Sequence, residues 1–98
     1  MKQYLVEFSL PVSLDEEFMQ LIPQQQMEVG KMFRDRVLAS YTLAKDKTKL
    51  WATFQVNDEI QVSNLIESLP LTHKMHYDIH ELLFNEQVFT GIPAPSLN

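Results

Sequence analysis

The chain has 98 residues, 45% of them hydrophobic, and a formal net charge of −5 from 13 acidic and 8 basic side chains. That length gives one domain with a modest core of its own. The acidic balance argues against a nucleic-acid partner, which requires clustered Lys and Arg, and the lack of cysteine excludes disulfides, thiolate metal sites and cysteine nucleophiles.

No stretch has the length of a membrane span, and the opening residues meet acids too soon for a signal peptide. A soluble, cytoplasmic protein with no membrane partner is the expectation. Two glycines, Gly30 and Gly91, leave no Gly-rich phosphate loop. A small chain this apolar is expected to hide part of its hydrophobic surface in a partner subunit.

Gln3 to Ser9 alternates, with Tyr4, Val6 and Phe8 on one face, and reads as a strand ended by Pro11. Ser13 and Glu16 have capping-box spacing and open an amphipathic helix that runs to about Val37. Its apolar stripe is Phe18, Leu21, Ile22, Val29, Met32 and Phe33, interrupted by Gln25, with Glu28 at the edge. Pro23 inside it predicts a kink or a break. Leu38–Lys45 and Lys49–Val56 read as a hairpin turning at Asp46-Lys47-Thr48. In the second strand Leu50, Ala52, Phe54 and Val56 face one way and Trp51, Thr53 and Gln55 the other. Asp58 and Gln61 cap a second helix, which buries Val62, Leu65, Ile66 and Leu69 and stops at Pro70. A last strand is expected from about Met75 to Leu83. The segment 85–98 is a Pro-rich tail whose Val88, Phe89 and Ile92 are suited to docking on a partner subunit.

Strand, helix, strand, strand, helix, strand predicts an α+β, ferredoxin-like βαββαβ domain over residues 1–84. Its four-stranded antiparallel sheet carries both helices on one face. The helix-free face is expected to be apolar and to close on a second copy, with Trp51 in that seam.

All three histidines, His73, His76 and His80, fall in the last segment. On a strand, His76 and His80 lie ~13 Å apart, at ~3.4 Å per residue. One zinc ion with bonds of ~2 Å cannot span that, so no metal site is expected. His76, Asp78 and His80 share a face, where Asp78 can orient either imidazole. The preferred reading of the three is a polar stripe at a sheet edge or dimer seam. An axial histidine for haem would have to face the helices, and these face away from Met75, Tyr77 and Ile79.

Three segments, "SLPVSLDEEF", "WATFQV" and "LPLTHKMHYDIHEL", resemble the muconolactone isomerase family. The resemblance runs from about Tyr4 to Leu83. It implies a dimeric α+β barrel that pairs sheet to sheet, a homodimer or a larger assembly such as a decamer, and no cofactor. The activity it implies is an isomerase that moves a proton within a small unsaturated lactone or related organic acid. That chemistry needs a base, an acid and a donor to the developing oxyanion. The expected pocket lies between sheet and helices and is lined by Phe8, Gln25, Met32 and Phe54. Glu28 is the candidate base, because a carboxylate beside apolar groups is a better base than one in water. Tyr41 or His76 is the candidate proton donor. The chain departs from the family in its second strand, "LASYTLA", which lacks the arginines that would hold a substrate carboxylate. A non-catalytic small-ligand binder or a self-assembling accessory protein is the alternative.

Overall fold

The first strand, β1 (Lys2–Ser9), buries alternate side chains: Tyr4, Val6 and Phe8 are at most 1% exposed, and the residues between them remain partly accessible. A computed structural model describes residues 1–86, so residues 87–98, most of the expected docking tail, lie outside the described residues.

The first helix, α1 (Glu16–Arg34), is capped by Asp15, whose carboxylate accepts from the Phe18 amide at 2.8 Å. The sequence places the cap at Ser13, two residues earlier. Using Asp15 puts Leu14 just before the cap, where it packs against the core. Pro23 does not divide the helix. It removes one backbone donor, and buried side chains on both sides, Phe18 before it and Gln25, Val29 and Met32 after it, hold the helix to the sheet.

The helix ends sooner than the apolar stripe suggests. Val37 donates its amide to the Met32 carbonyl and Arg36 donates to Phe33, both at 3.1 Å. This is a Schellman closure, and Arg36 takes the left-handed position at φ 62° that glycine usually fills. The Gln55 side chain then donates to the Arg36 carbonyl at 3.2 Å, which ties the turn to the sheet.

The hairpin strands are β2 (Leu38–Leu43) and β3 (Lys49–Val56), with a bulge at Leu38/Ser40. Asp46 accepts from both the amide and the hydroxyl of Thr48, which fixes the turn around Lys47, a second residue at positive φ. The second helix, α2 (Glu59–Glu67), is capped by Asp58, which accepts from the Gln61 amide at 2.9 Å, while Gln61 accepts from Asn57 at 2.8 Å. After Pro70 the chain makes one 3₁₀ turn (Thr72–Lys74), pinned by the Thr72 hydroxyl donating to the Ile66 and Leu69 carbonyls. The last strand, β4 (His76–Glu81), is shorter at both ends than the alternation predicts. The 3₁₀ turn takes the approach to it, and its pairing with β1 runs out at Tyr4↔Glu81.

The sheet order is β2-β3-β1-β4, with every pair antiparallel, which is the expected ferredoxin-like arrangement. One face carries Tyr4, Val6, Phe8, Leu50, Ala52, Phe54 and Val56. They join Phe18, Val29 and Met32 of α1 and Val62 and Ile66 of α2 in a single core.

The helix-free face is more polar than the sequence suggests. Cross-strand register lines up Thr42, Trp51, Glu7 and Asp78 in one row, Ser40, Thr53, Leu5 and His80 in the next, and Lys49, Ser9 and His76 in a third. Among the described, paired strand residues of that face only Leu5 and Trp51 are large and apolar, because Tyr4 and Tyr41 turn toward the helices. The Trp51 indole donates to Glu7 at 3.0 Å, and Lys49 donates to Ser9 at 2.8 Å while standing 3.7 Å from Glu7. Among the described residues no helix is long and apolar enough to cross a membrane.

The Arg36 position yields a direct prediction. A non-glycine residue in the left-handed region costs roughly 1–2 kcal/mol. Arg36→Gly should therefore raise the urea midpoint, by the equivalent of a net ~1 kcal/mol or less in unfolding free energy once the added chain entropy of glycine is counted. A lowered midpoint would show that the Arg36 side chain does more than occupy the turn.

Candidate functional site

Gln25 stands in the middle of the buried stripe of α1 and is 3% exposed. A polar group removed from water is costly unless its donors and acceptors are met. The Gln25 carbonyl oxygen accepts from the Leu71 amide at 3.1 Å, and its amide nitrogen donates to the Tyr41 hydroxyl at 3.0 Å. One side chain thus ties α1 to β2 and to the segment that follows α2. The backbone amide of Leu71 can only donate, so it fixes which end of Gln25 faces which partner. Tyr41 accepts from Gln25, and its own proton remains available to another acceptor.

Both residues line a cleft of about 270 Å³ between the first turns of α1 and the sheet. The rest of its wall is mostly apolar, built from residues such as Leu10, Phe18, Met19, Ile22, Leu50 and Leu71, with Gln26 polar and Lys47 contributing the charged side chain. Apolar walls with a few fixed polar groups are the usual form of a small-molecule site. A larger depression of about 600 Å³ lies at the Lys2/Glu81 end of the sheet, bordered by Gln3, Gln55 and Phe84. It is broad and open to solvent, so a molecule resting there would stay largely hydrated.

Of the residues singled out from sequence, the fold brings Gln25 and Tyr41 together in the cleft. Phe8, Met32 and Phe54 share its layer but sit deeper in the core, at 0%, 5% and 0% exposure. Glu28 is turned toward Lys31, with Nζ to Oε1 at 3.2 Å, and is not part of the cleft lining. His76 is exposed on the helix-free face, opposite Ser9. Leu10, Leu71 and Met75 enter the lining from loops and strand ends; alternation places Met75 on a face with Tyr77 and Ile79, and no local periodicity announces Leu10 or Leu71. No group of three potential metal ligands converges among the described residues.

Burial pushes the Tyr41 phenol above its ordinary value, outweighing the opposite pull of the Gln25 hydrogen bond. Tyr4 moves the same way, through burial and then the negative charge of Glu81. Tyr41 is therefore a neutral hydrogen-bond donor throughout the physiological range.

No protein-family model matches the sequence, and comparison with curated proteins finds no match. In structure the chain is similar to muconolactone isomerase as seen in its crystal structure. The TM-score is 0.71 with 16% identical residues, over 94% of this chain and 99% of that one. At this identity the likeness establishes the fold.

Replacing Gln25 by methionine keeps its size and strands the Leu71 amide. Gln25→Met should cost about 1–3 kcal/mol of stability, read by urea denaturation, and no loss would mean that the bridge is energetically idle. The raised phenols also set a pH dependence. Their protonated forms favour the folded state below the ordinary phenol value of about 10, and that contribution is lost as pH rises through the raised folded values. Stability should fall in that alkaline window, and Tyr41→Phe should lessen the fall.

Proposed function

We propose that this chain is a small-molecule-binding domain on a muconolactone isomerase-like scaffold. Its ligand would be a small organic molecule held in the cleft between α1 and the sheet, with an apolar body and one strong hydrogen-bond acceptor. The observation that carries this reading is the Gln25–Tyr41 pair, because it leaves one oriented hydroxyl proton at an apolar cleft. A carbonyl or carboxylate oxygen would take that proton, whereas a pure hydrocarbon would leave it unmet. At about 270 Å³ the cleft falls just below the ~300–1,000 Å³ typical of ligand pockets, which favours a compact ring over an extended molecule.

The fold likeness supports a second, sharper reading: a cofactor-free isomerase that shifts a proton within a small unsaturated lactone. Tyr41 would then donate to the oxyanion that develops as the proton leaves carbon. A base is also required. Carboxylates and imidazoles are absent from the cleft lining among the described residues. For Glu28 to act as the base, its side chain has to leave Lys31 and swing toward the cleft. His76 would have to act from the other side of the sheet, on a neighbouring copy. Binding without turnover therefore fits the geometry better than isomerisation does. Both readings take the chain as a cytoplasmic homodimer that closes sheet to sheet over Leu5 and Trp51, with larger assemblies such as a decamer built from that pair.

A thermal-shift screen of small lactones, butenolide carboxylates and aromatic acids tests the binding claim, since a ligand of the folded state raises the melting temperature. Tyr41→Phe should weaken a neutral acceptor by a factor of about 2–10 and a carboxylate by more, in line with the net worth of such hydrogen bonds. Equal affinity in wild type and Tyr41→Phe would sink the proposed binding mode. Solvent-deuterium incorporation into bound lactones separates the two roles. Exchange that disappears in Glu28→Gln supports the isomerase, and binding without exchange supports the binder.

A further inference from the structure

The outward line of α1 carries a pattern that the core does not explain and that the cleft touches only at Met19, which borders it. Opposite the buried Phe18, Gln25, Val29 and Met32 stand Glu16, Met19, Pro23, Met27, Gly30 and Arg34, spaced by three and four residues along one face. Solvent-facing helix lines are ordinarily polar or charged. Here four residues without charge separate one acid from one base, and the two methionines are 51% and 59% exposed. Glycine is unfavourable in a helix interior. At Gly30 a Cβ would meet nothing within 4 Å, so packing inside the chain does not require it. Other α1 charges are paired, Glu28 with Lys31 and Glu17 with Lys74. Arg34 has no ion-pair partner among the described residues.

We infer that this face is an isologous interface, in which α1 packs antiparallel against α1 of a second copy of the chain. The charges choose the orientation. Parallel packing would set Glu16 against Glu16, whereas antiparallel packing sets each Glu16 against the other copy's Arg34. The register agrees with the charges. The midpoint between Glu16 and Arg34 is residue 25, and the midpoint between Met19 and Gly30 lies half a residue away, under ~1 Å of helix rise. One two-fold axis therefore aligns both ion pairs and also lays each Met19 into the open space over the other copy's Gly30. Pro23 and Met27 flank that axis. Glycine is what lets the two backbones approach at the level of the methionine.

A single helix face is small beside the ~800 Å² per partner of a standard interface. The contact should therefore be reversible and concentration-dependent. It borders the ligand cleft at Met19 and is separate from any sheet-to-sheet pairing. A chain with both surfaces can build assemblies larger than a dimer.

Sedimentation velocity over a concentration series tests the interface through reciprocal charge exchange. Glu16→Arg and Arg34→Glu should each weaken this association step about tenfold, because each turns two attractive contacts into like-charge ones. The double variant Glu16→Arg/Arg34→Glu should recover it. Both substitutions oppose the helix dipole, so the double variant should be the least stable fold while associating better than either single variant. A general loss of structure cannot produce that reversal. In the otherwise cysteine-free chain, Met27→Cys should give a covalent dimer with a short bismaleimide, and Glu67→Cys on α2 should not. Three results would each overturn the interface: no concentration dependence in wild type, a double variant no better than the singles, or equal cross-linking at both positions.

Discussion

The site depends on one buried amide. Gln25 occupies a position where the helix period calls for an apolar residue, and its two hydrogen bonds are what make the substitution tolerable. Those bonds fix three things together: the height of α1 over β2, the path of the chain after Pro70, and the direction in which Tyr41 offers its proton. An apolar residue at position 25 would leave the Leu71 amide without an acceptor and the Tyr41 hydroxyl without a fixed donor. The cleft would remain as a space, but without an oriented polar group at its wall.

The strands divide the chain's chemistry by face. On the helix side, alternation gathers Tyr4, Val6, Phe8, Leu50, Ala52 and Phe54 into the core, so little there is free to react. On the other side the same alternation lines up Glu7, Asp78, Lys49 and the β4 histidines around Trp51 and Leu5. Hydrogen bonds from Trp51 to Glu7 and from Lys49 to Ser9 already organise that surface within one chain. A second copy meeting it would encounter ordered polar groups as well as the two apolar ones. The outward line of α1 is a third surface, with an uncharged middle and opposite charges at its ends. The three surfaces differ in role: one is proposed to hold a ligand, and two are suited to contact between copies.

Much of the fold was legible because it rests on short-range periodicity. Lys49–Val56 appears with the bounds that alternation gave, and the Asp58/Gln61 cap appears at the residues whose spacing announced it. The ends of α1 were less legible. Ser13 and Asp15 are both competent caps, and packing of Leu14 chooses between them. Arg36 closes the helix in a conformation that its side chain does not advertise. In the site, Gln25 stood out as a break in an apolar stripe and Tyr41 as a polar aromatic on a strand. Their meeting is long-range, set by how α1 crosses β2, as is the arrival of Leu71. Depth along an element is equally non-local. Phe8, Met32 and Phe54 lie on the face the pattern assigned but below the cleft, and Glu28, at the stripe's edge, falls on the solvent side with Lys31.

The central claim is that the cleft holds a small acceptor-bearing molecule at the Tyr41 hydroxyl. Its most direct test is nuclear magnetic resonance of the isotopically labelled chain, titrated with a small lactone carboxylate. The account predicts that the Leu71 backbone amide and the Gln25 side-chain amide shift together along one saturating curve, and that Tyr41→Phe weakens the effect. Shifts confined to Trp51 and the β4 histidines, with Leu71 and Gln25 unmoved at saturation, would contradict it.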